Sequence, residues 1–235
     1  MIYLKTALVD YRISTIEEDN LNKYGFSVLK VPPCNILYTA VCGHPDMLLH
    51  PLENKTILVH NQMDNAFITK LEALNYKILL SEISLCTNYP GDIALNALNL
   101  DNIFLHNLKY TDPLLLKIVN NKKLLNVKQG YSKCSTAIVN STAAITSDIG
   151  IYNMLSKENI SVLLLPPGDI ELPGLNYGFI GGSCGILNEG TIAFFGNLNK
   201  YKYRTEILNF LIRHDVKPVF LSDGPLIDRG TLFVI

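Results

Sequence analysis

The chain has 235 residues and a mass of 26.2 kDa, with 48% hydrophobic residues, 17% charged residues and a mean hydropathy of +0.20. These values exclude an intrinsically disordered chain, which combines low hydrophobicity with high net charge. The formal net charge is -1, so we expect no basic surface for nucleic acid or anionic lipid and predict neither partner.

The opening segment, residues 1–10, has no basic leader followed by a long apolar run, so no secretory signal is expected. No apolar run approaches the roughly 20 residues of a bilayer-spanning helix. The cysteines at positions 34, 42, 86, 134 and 184 include no Cys-x-x-Cys pair, which argues against a disulfide framework and a zinc knuckle. The expected protein is cytoplasmic and has neither a metal nor a cofactor.

The first predicted unit is a helix that leads into a short strand. The sequence Ser14-Thr15-Ile16-Glu17 has the spacing of a capping box, in which the hydroxyl and the carboxylate each bind a free main-chain amide. Gly25 suits the left-handed residue that ends a helix. A strand is predicted over residues 26–31, before Pro32 and Pro33.

The same helix and strand unit recurs four times. Asp64, Asp112 and Asp148 are predicted N-caps, and Pro113 suits the first helical position because its missing amide costs nothing there. The last helix has its apolar positions between residues 207 and 212. The strands that follow these helices are predicted at residues 76–80, 124–127, 160–165 and 218–221.

Two apolar segments joined by a polar turn precede four of the helices and predict β-hairpins at residues 47–59, 93–105, 136–145 and 185–195. The fifth hairpin is split between the chain ends, with residues 231–235 predicted to pair with residues 6–9. A repeat of about 40 to 50 residues results, and none of its units could bury its apolar faces alone. We therefore predict one domain, residues 1–235, with an α/β fold: a five-bladed α/β propeller of ββαβ repeats, closed by pairing of the C-terminal strand with the N-terminal strand.

Superposition of the five hairpins on their turns brings one residue of each to an equivalent position near the propeller axis. These residues are Asp46, Asp92, Cys134, Cys184 and Asp223. Three carboxylates in one pocket favour a cationic ligand such as a guanidinium or an amidine. The alternative, in which each aspartate only binds amides of its own turn, stays open. Residues 168–178 have the turn residues typical of an active-site lid.

Five closed ββαβ units resemble the pentein, or guanidine-modifying, fold of the arginine and agmatine deiminases. Gly181-Gly182-Ser183-Cys184-Gly185 is similar to the glycine-rich segment that carries the nucleophilic cysteine of that family, and His44-Pro45-Asp46 is similar to its His-x-Asp. The resemblance implies that Cys184 attacks a guanidinium carbon and that His44 shuttles protons. The residues that it and the hairpin superposition assign to the substrate are Asp46, Asp92, Cys134, Asp223, Gly182 and Ser183.

One departure from the family pattern leaves two functions open. The family cysteine lies on the last hairpin, about a dozen residues from the end, whereas Cys184 lies a whole repeat earlier and residues 221–225 contain no thiol. The first hypothesis is a cysteine-dependent hydrolase or deiminase that cleaves non-peptide C–N bonds of a small guanidino or amidino compound through a covalent thiouronium. The second is a non-catalytic pentein-like module that binds a ligand or a macromolecule. Both allow a homodimer.

Overall fold

A computed structural model describes residues 5–235. Residues 1–4, which belong to the predicted domain and to the opening segment for which no secretory signal is expected, lie outside the described residues. The helices are α1 (Thr15–Lys23), α2 (Pro45–Leu48), α3 (Asn65–Ala73), α4 (Pro113–Ile118), α5 (Ile149–Ser156) and α6 (Arg204–Arg213). The strands are β1 (Thr6–Asp10), β2 (Ser27–Val31), β3 (Leu49–Leu52), β4 (Thr56–Val59), β5 (Lys77–Leu80), β6 (Leu98–Asn99), β7 (Ile103–His106), β8 (Lys123–Asn126), β9 (Thr136–Asn140), β10 (Ala143–Thr146), β11 (Ser161–Leu164), β12 (Cys184–Asn188), β13 (Thr191–Phe194), β14 (Lys217–Phe220) and β15 (Phe233–Val234).

The strands form five three-stranded sheets with one common topology. Their orders are β15-β1-β2, β3-β4-β5, β6-β7-β8, β9-β10-β11 and β12-β13-β14. In each sheet the first two strands are antiparallel, and the third, which follows a helix, is parallel to the middle strand. The predicted ββαβ repeat is therefore present. The two chain ends share a sheet, with Ala7 opposite Val234, as the sequence predicts.

The predicted helix starts are confirmed because short polar side chains satisfy the first free amides. Ser14 and Glu17 form the capping box of α1. Asp64, Asp112 and Asp148 each accept a hydrogen bond from an amide in the first turn of α3, α4 and α5. Within residues 5–235, no helix combines the length and apolar content that crossing a membrane requires.

The first two predicted hairpins are wrong in the position of their first strands. In the first hairpin, residues 47–49 were expected to be a strand, but residues 47 and 48 belong to α2 and β3 begins at Leu49. Residues 93–95 were expected to be a strand, but the strand paired with β7 is β6, in which Leu98 lies opposite Leu105. The apolar residues 93–95 are instead buried in a turn, where the Leu95 carbonyl binds the His50 ring. Their hydrophobicity reflects burial rather than strand pairing, and these two causes cannot be separated over three residues.

Five clusters of buried apolar residues pack the sheets against one another in chain order. The middle strand of each sheet contributes adjacent residues to two different clusters, because successive side chains of a strand point to opposite faces. The pairs across the five contacts are Leu8 with Ile57, Leu58 with Phe104, Leu105 with Ala144, Ile145 with Ile192, and Ala193 with Ala7. The last pair packs the fifth sheet on the first. Each sheet is thus covered on both faces, which explains the nearly uninterrupted apolar runs of the middle strands.

Candidate functional site

Three side chains with complementary chemistry converge ahead of the first strands of three sheets. The Cys134 Sγ atom lies 3.4 and 3.5 Å from the two carboxylate oxygens of Asp228. The His44 Nδ1 atom lies 3.8 Å from Asp228 Oδ1. The ligating atoms of the three residues all lie within 4.8 Å of one another, and all three residues are buried. A thiol, an imidazole and a carboxylate in contact can support nucleophilic chemistry.

Main-chain and amide groups hold the thiol and the carboxylate in place. The Asp228 carboxylate accepts hydrogen bonds from the amides of Phe179 at 2.8 Å and Gly230 at 2.9 Å. The Oδ1 atom of the buried Asn96 accepts hydrogen bonds from the main-chain amides of Lys133 at 3.0 Å and Cys134 at 3.1 Å. Sequence reasoning missed both Asp228 and Asn96. One sequence signal could have identified Asp228. It lies shortly before the closing strand, in the same way that Cys134 lies shortly before β9.

The His44 ring lies between two carboxylates. Its Nε2 atom is 4.0 Å from Asp10 Oδ2, and neither ring nitrogen has a hydrogen-bond partner among the described residues. Asp10 is itself bound by the Arg12 guanidinium, with Nε at 2.9 Å. Gly230 has a φ of +66°, and a Cβ atom there would overlap His44. A glycine at this position is therefore required for the ring to reach Asp228.

Two further predicted carboxylates are buried close to this group. Asp46 accepts a hydrogen bond from the Thr231 hydroxyl at 3.1 Å, and burial raises the pKa of Asp46 to about 6. Asp92 accepts a hydrogen bond from the Tyr131 hydroxyl at 2.7 Å, and burial raises its pKa as well. The Oδ1 atom of each aspartate has no partner among the described residues. Each carboxylate therefore keeps one buried acceptor atom that no described residue satisfies.

The ligand-free site favours a neutral thiol. Burial, followed by the negative charge of Asp228, raises the pKa of Cys134 well above that of a free cysteine. The thiol is therefore protonated at neutral pH until a positive charge comes close to it.

A cavity of about 260 Å³ opens onto the three residues. Beyond His44, Cys134 and Asp228, its walls are mostly aromatic and aliphatic, and they include no lysine or arginine among the described residues. The further lining residues are Tyr38, Val41, Met47, Tyr131, Leu172, Leu175, Asn176, Tyr177 and Phe179. Five of these lining residues lie between positions 172 and 179. The predicted lid, residues 168–178, therefore forms one wall of the cavity together with Phe179.

Of the predicted site residues, His44 and Cys134 line this cavity, whereas Asp46, Asp92, Gly182, Ser183, Cys184 and Asp223 do not. The Cys184 thiol donates to the Ile180 carbonyl at 3.2 Å and packs in the cluster between the fourth and fifth sheets. Burial raises the pKa of Cys184 to about 12. Asp223 is exposed at the surface. Neither residue lines the cavity, whereas Cys134, expected to contact substrate, is the thiol beside His44.

The glycine-rich segment has a different role from the one that the resemblance implied. A Cβ atom on Gly182 would overlap the Asp228 carboxylate, and one on Gly181 would overlap the main chain beside Cys134. The Ser183 hydroxyl is buried and donates to the Ile180 carbonyl at 2.9 Å. The missing side chains thus make room for Asp228 and for the main chain on either side of Cys134, and not for a ligand.

The same three residues are also of the types that bind a metal. Cysteine sulfur, histidine nitrogen and carboxylate oxygen are the usual zinc ligands, and three protein ligands leave a fourth position open in catalytic zinc sites. The sequence predicted no metal, yet His44, Cys134 and Asp228 could hold such an ion at the cavity floor.

One sequence family matches residues 8–233, and its description is a family of unknown function (DUF6873). No curated protein matches the sequence.

Several solved structures share the fold across nearly the whole chain. An amidinotransferase of the saxitoxin biosynthetic pathway from Microseira wollei has a TM-score of 0.56 at 9% identity, covering 93% of this chain and 88% of that one. A dimethylarginine dimethylaminohydrolase from Pseudomonas aeruginosa, a cysteine-to-serine mutant complexed with citrulline, has a TM-score of 0.56 at 9% identity and covers 99% of both chains. An agmatine deiminase from C. jejuni has a TM-score of 0.53 at 12% identity, covering 94% of this chain and 90% of that one. At such low identity the likeness shows the fold.

Proposed function

The chain belongs to the family of unknown function DUF6873 and has the pentein, or guanidine-modifying, fold, and from this premise we propose that it is a cysteine-dependent hydrolase or deiminase of a small guanidino or amidino compound. The observation that carries the proposal is the meeting of Cys134, His44 and Asp228 at the floor of a cavity without a cationic side chain. The neighbours named above, which modify guanidino groups, support the same substrate class.

The architecture that we propose is a single closed propeller with one blade per sheet. Two observations support it. The apolar clusters link the five sheets in chain order and then link the fifth to the first. A second cavity is lined by the first strand of every sheet. In such a ring, the segments that precede the first strands meet at one end of the axis, which explains how residues far apart in sequence share one site.

A planar cation fits the electrostatics of this site. A guanidinium offers several N–H donors, and Asp228 lines the cavity as an acceptor for them. Asp46 and Asp92 do not line the cavity, but each keeps a buried acceptor atom that has no partner among the described residues. A positive charge within about 4 to 6 Å lowers the pKa of an acidic group by roughly one to three. Substrate binding would therefore oppose the effect of Asp228 on Cys134 and favour the thiolate. The nucleophile then forms only when a cationic substrate is in place.

The chemistry would proceed in two steps. When the substrate binds, the Cys134 thiol gives its proton to His44, and the thiolate attacks the central carbon of the cation. The C–N bond to the leaving nitrogen then breaks, and that nitrogen takes the bond's electron pair and the proton from His44. The covalent product is a thiouronium from a guanidine, or the corresponding thioimidate cation from an amidine. Water then gives a proton to His44 and adds to the same carbon, the C–S bond breaks, the thiolate is restored, and the product loses its remaining extra proton to solvent. A guanidine would yield a urea, and an amidine would yield an amide.

We assign the nucleophile to Cys134 instead of Cys184 because Cys134 shares a cavity and a carboxylate with His44. The thiol has to be reduced, and all five cysteines are unpaired. We accordingly place the protein in a reducing compartment such as the cytoplasm.

The cavity walls narrow the substrate class further. Tyr38, Tyr131, Tyr177 and Phe179 offer aromatic surface to a hydrocarbon tail. A carboxylate on that tail would be buried close to Asp228 without a cationic partner, which is unfavourable by several kcal/mol. The proposed substrate is therefore a guanidine or an amidine with an apolar tail and no carboxylate.

Labelling with chloroacetamidine, which has the shape of the substrate, tests the proposal. We expect alkylation of Cys134, its loss in Cys134→Ala and its persistence in the matched variant Cys184→Ala. Release of ammonia from alkylguanidines and alkylamidines should be lost in the same variant. Equal labelling of Cys134→Ala would refute the assignment. Binding of alkylguanidines without turnover by the wild-type chain would instead favour the non-catalytic binding module.

A further inference from the structure

A cavity of about 390 Å³ lies between the first strands of all five sheets. Each of these strands contributes to its wall, and the contributing residues include Pro51 of β3, Asn99 of β6, Ile138 of β9, Ile186 of β12 and Phe233 of β15. We call this cavity the central channel. It has no lining residue in common with the cavity of the proposed catalytic site.

A buried lysine lines the central channel. Lys133 is 7% exposed, and its ammonium makes one hydrogen bond, at 2.9 Å to the Thr231 hydroxyl. Among residues 5–235, no carboxylate lies within 4.0 Å of the Lys133 ammonium. A lysine ammonium has three N–H donors, so two of them are available to a ligand. Burial of a charge is costly unless the charge is paired, and an anion in the channel would supply the missing partner.

The other buried polar side chains of the channel wall are already occupied. The His50 ring binds the Leu95 carbonyl at 3.1 Å and the Asn99 amide at 3.2 Å. Burial lowers the pKa of His50 to about 4, so the ring carries no charge at neutral pH. The Cys184 thiol donates to a main-chain carbonyl at 3.2 Å. Lys133 is therefore the buried polar residue of the channel wall whose N–H donors remain available to a ligand.

The rest of the buried wall is hydrocarbon. The Phe233 ring centre lies 5.7 Å from the Lys133 ammonium, and the remaining apolar wall residues include Pro51, Ala97, Ile138, Ile186 and Leu232. Lys5, Asn188 and Glu189 are exposed lining residues and place the channel opening, with one charge of each sign, at the surface. We propose that the central channel binds a small monocarboxylate, whose carboxylate contacts the Lys133 ammonium and whose hydrocarbon part lies against these walls.

The channel ligand would be sensed at the proposed catalytic site through one hydrogen-bonded chain. Lys133 donates to Thr231, and the Thr231 hydroxyl contacts Asp46 Oδ2 at 3.1 Å. Lys133 also directly precedes Cys134 in sequence. An anion that neutralises Lys133 would remove positive charge from beside Asp46 and Cys134, which couples the channel to the proposed catalytic site.

Calorimetric titration of the full chain with hexanoate tests the channel site, with hexylamine as the probe of equal length and opposite charge. We expect saturable binding of hexanoate, weakened at least about tenfold in Lys133→Met through loss of a charge-assisted hydrogen bond. Ile138→Phe keeps the lysine but fills the channel, and it should weaken binding as much. The Ile138→Phe result decides the question even where Lys133→Met does not fold.

Cys134→Ala separates the channel from the proposed catalytic site. Hexanoate should bind this variant as tightly as it binds the wild-type chain, whether or not the chain turns over any guanidine. Absence of saturable binding at millimolar hexanoate would overturn the proposal. Equal affinity for hexylamine, or hexanoate binding that neither channel variant weakens, would also overturn it.

Discussion

Replacement of Asp46 by asparagine should stabilise the protein at neutral and alkaline pH. Asp46 is almost completely buried, and its pKa rises from 3.8 to about 6 on folding, chiefly because burial disfavours the charged form. Between these values the unfolded chain has lost the proton while the folded chain still holds it. Ionisation therefore opposes folding increasingly from pH 3.8 to about 6, and the full cost persists above that pH. At 1.36 kcal/mol for each unit of pKa difference, the cost is about 3 kcal/mol.

Asparagine at position 46 removes the charge and keeps an oxygen that can accept a hydrogen bond from the Thr231 hydroxyl. The free energy of unfolding of Asp46→Asn should exceed that of the wild-type chain by up to about 3 kcal/mol at pH 8 and by little at pH 4. Urea denaturation followed by far-ultraviolet circular dichroism at both pH values measures the difference. Asp223→Asn is the matched control, because Asp223 is exposed and a surface substitution usually changes stability by less than about 0.5 kcal/mol.

An Asp46→Asn variant that is less stable than the wild-type chain at pH 8 would refute this reasoning. A gain that is the same at pH 4 and pH 8 would also refute it, because the charge would then not be the cause. The expected gain has a functional meaning, since a carboxylate kept at the expense of stability is typical of a ligand site. The same variant should bind alkylguanidines more weakly.

Three further results are expected. Burial lowers the pKa of His50 from 6.5 to about 4, so the neutral His50 ring contributes its full stability above pH 6.5. That contribution falls by about 3 kcal/mol as the pH drops to 4, because the unfolded chain takes up the proton first. The urea midpoints at pH 7 and pH 4.5 should therefore differ less in His50→Gln than in the wild-type chain. Gly182→Ala should destabilise the chain by roughly 1 to 3 kcal/mol and slow the labelling of Cys134, because its Cβ atom would overlap the Asp228 carboxylate. Gly224→Ala should change neither, because its Cβ atom would make only an ordinary contact, at 4.0 Å from the Ser222 hydroxyl. Leu175→Arg places a cation on the exposed rim of the cavity. The kcat/KM for 4-guanidinobutyrate should therefore rise relative to the kcat/KM for butylguanidine, because the new guanidinium can pair with the carboxylate. An unchanged ratio of the two values would count against a tail-binding role for this wall.

Local signals in the sequence were sufficient for the repeat and for most of its elements. The caps at Ser14, Asp64, Asp112 and Asp148 depend on hydrogen bonds within four residues, so they can be read without knowledge of the rest of the chain. The closing pair of strands also followed from the sequence, because only the chain ends could complete the fifth hairpin.

The composition of the site was decided by tertiary structure. Cys134 and Cys184 occupy similar places in their repeats, but Cys184 is the first residue of β12 whereas Cys134 lies in the turn before β9. A shift of one residue in a strand turns a side chain to the opposite face, so equivalence to within two residues cannot tell a cavity thiol from a core thiol. Asp228, and not Asp223, likewise lies beside Cys134 and His44, and no local signal distinguishes these two aspartates ahead of the closing strand at Phe233. Contacts between His44, Cys134 and Asp228 exist only because separate sheets pack together, and no local pattern encodes which side chains such packing brings within reach.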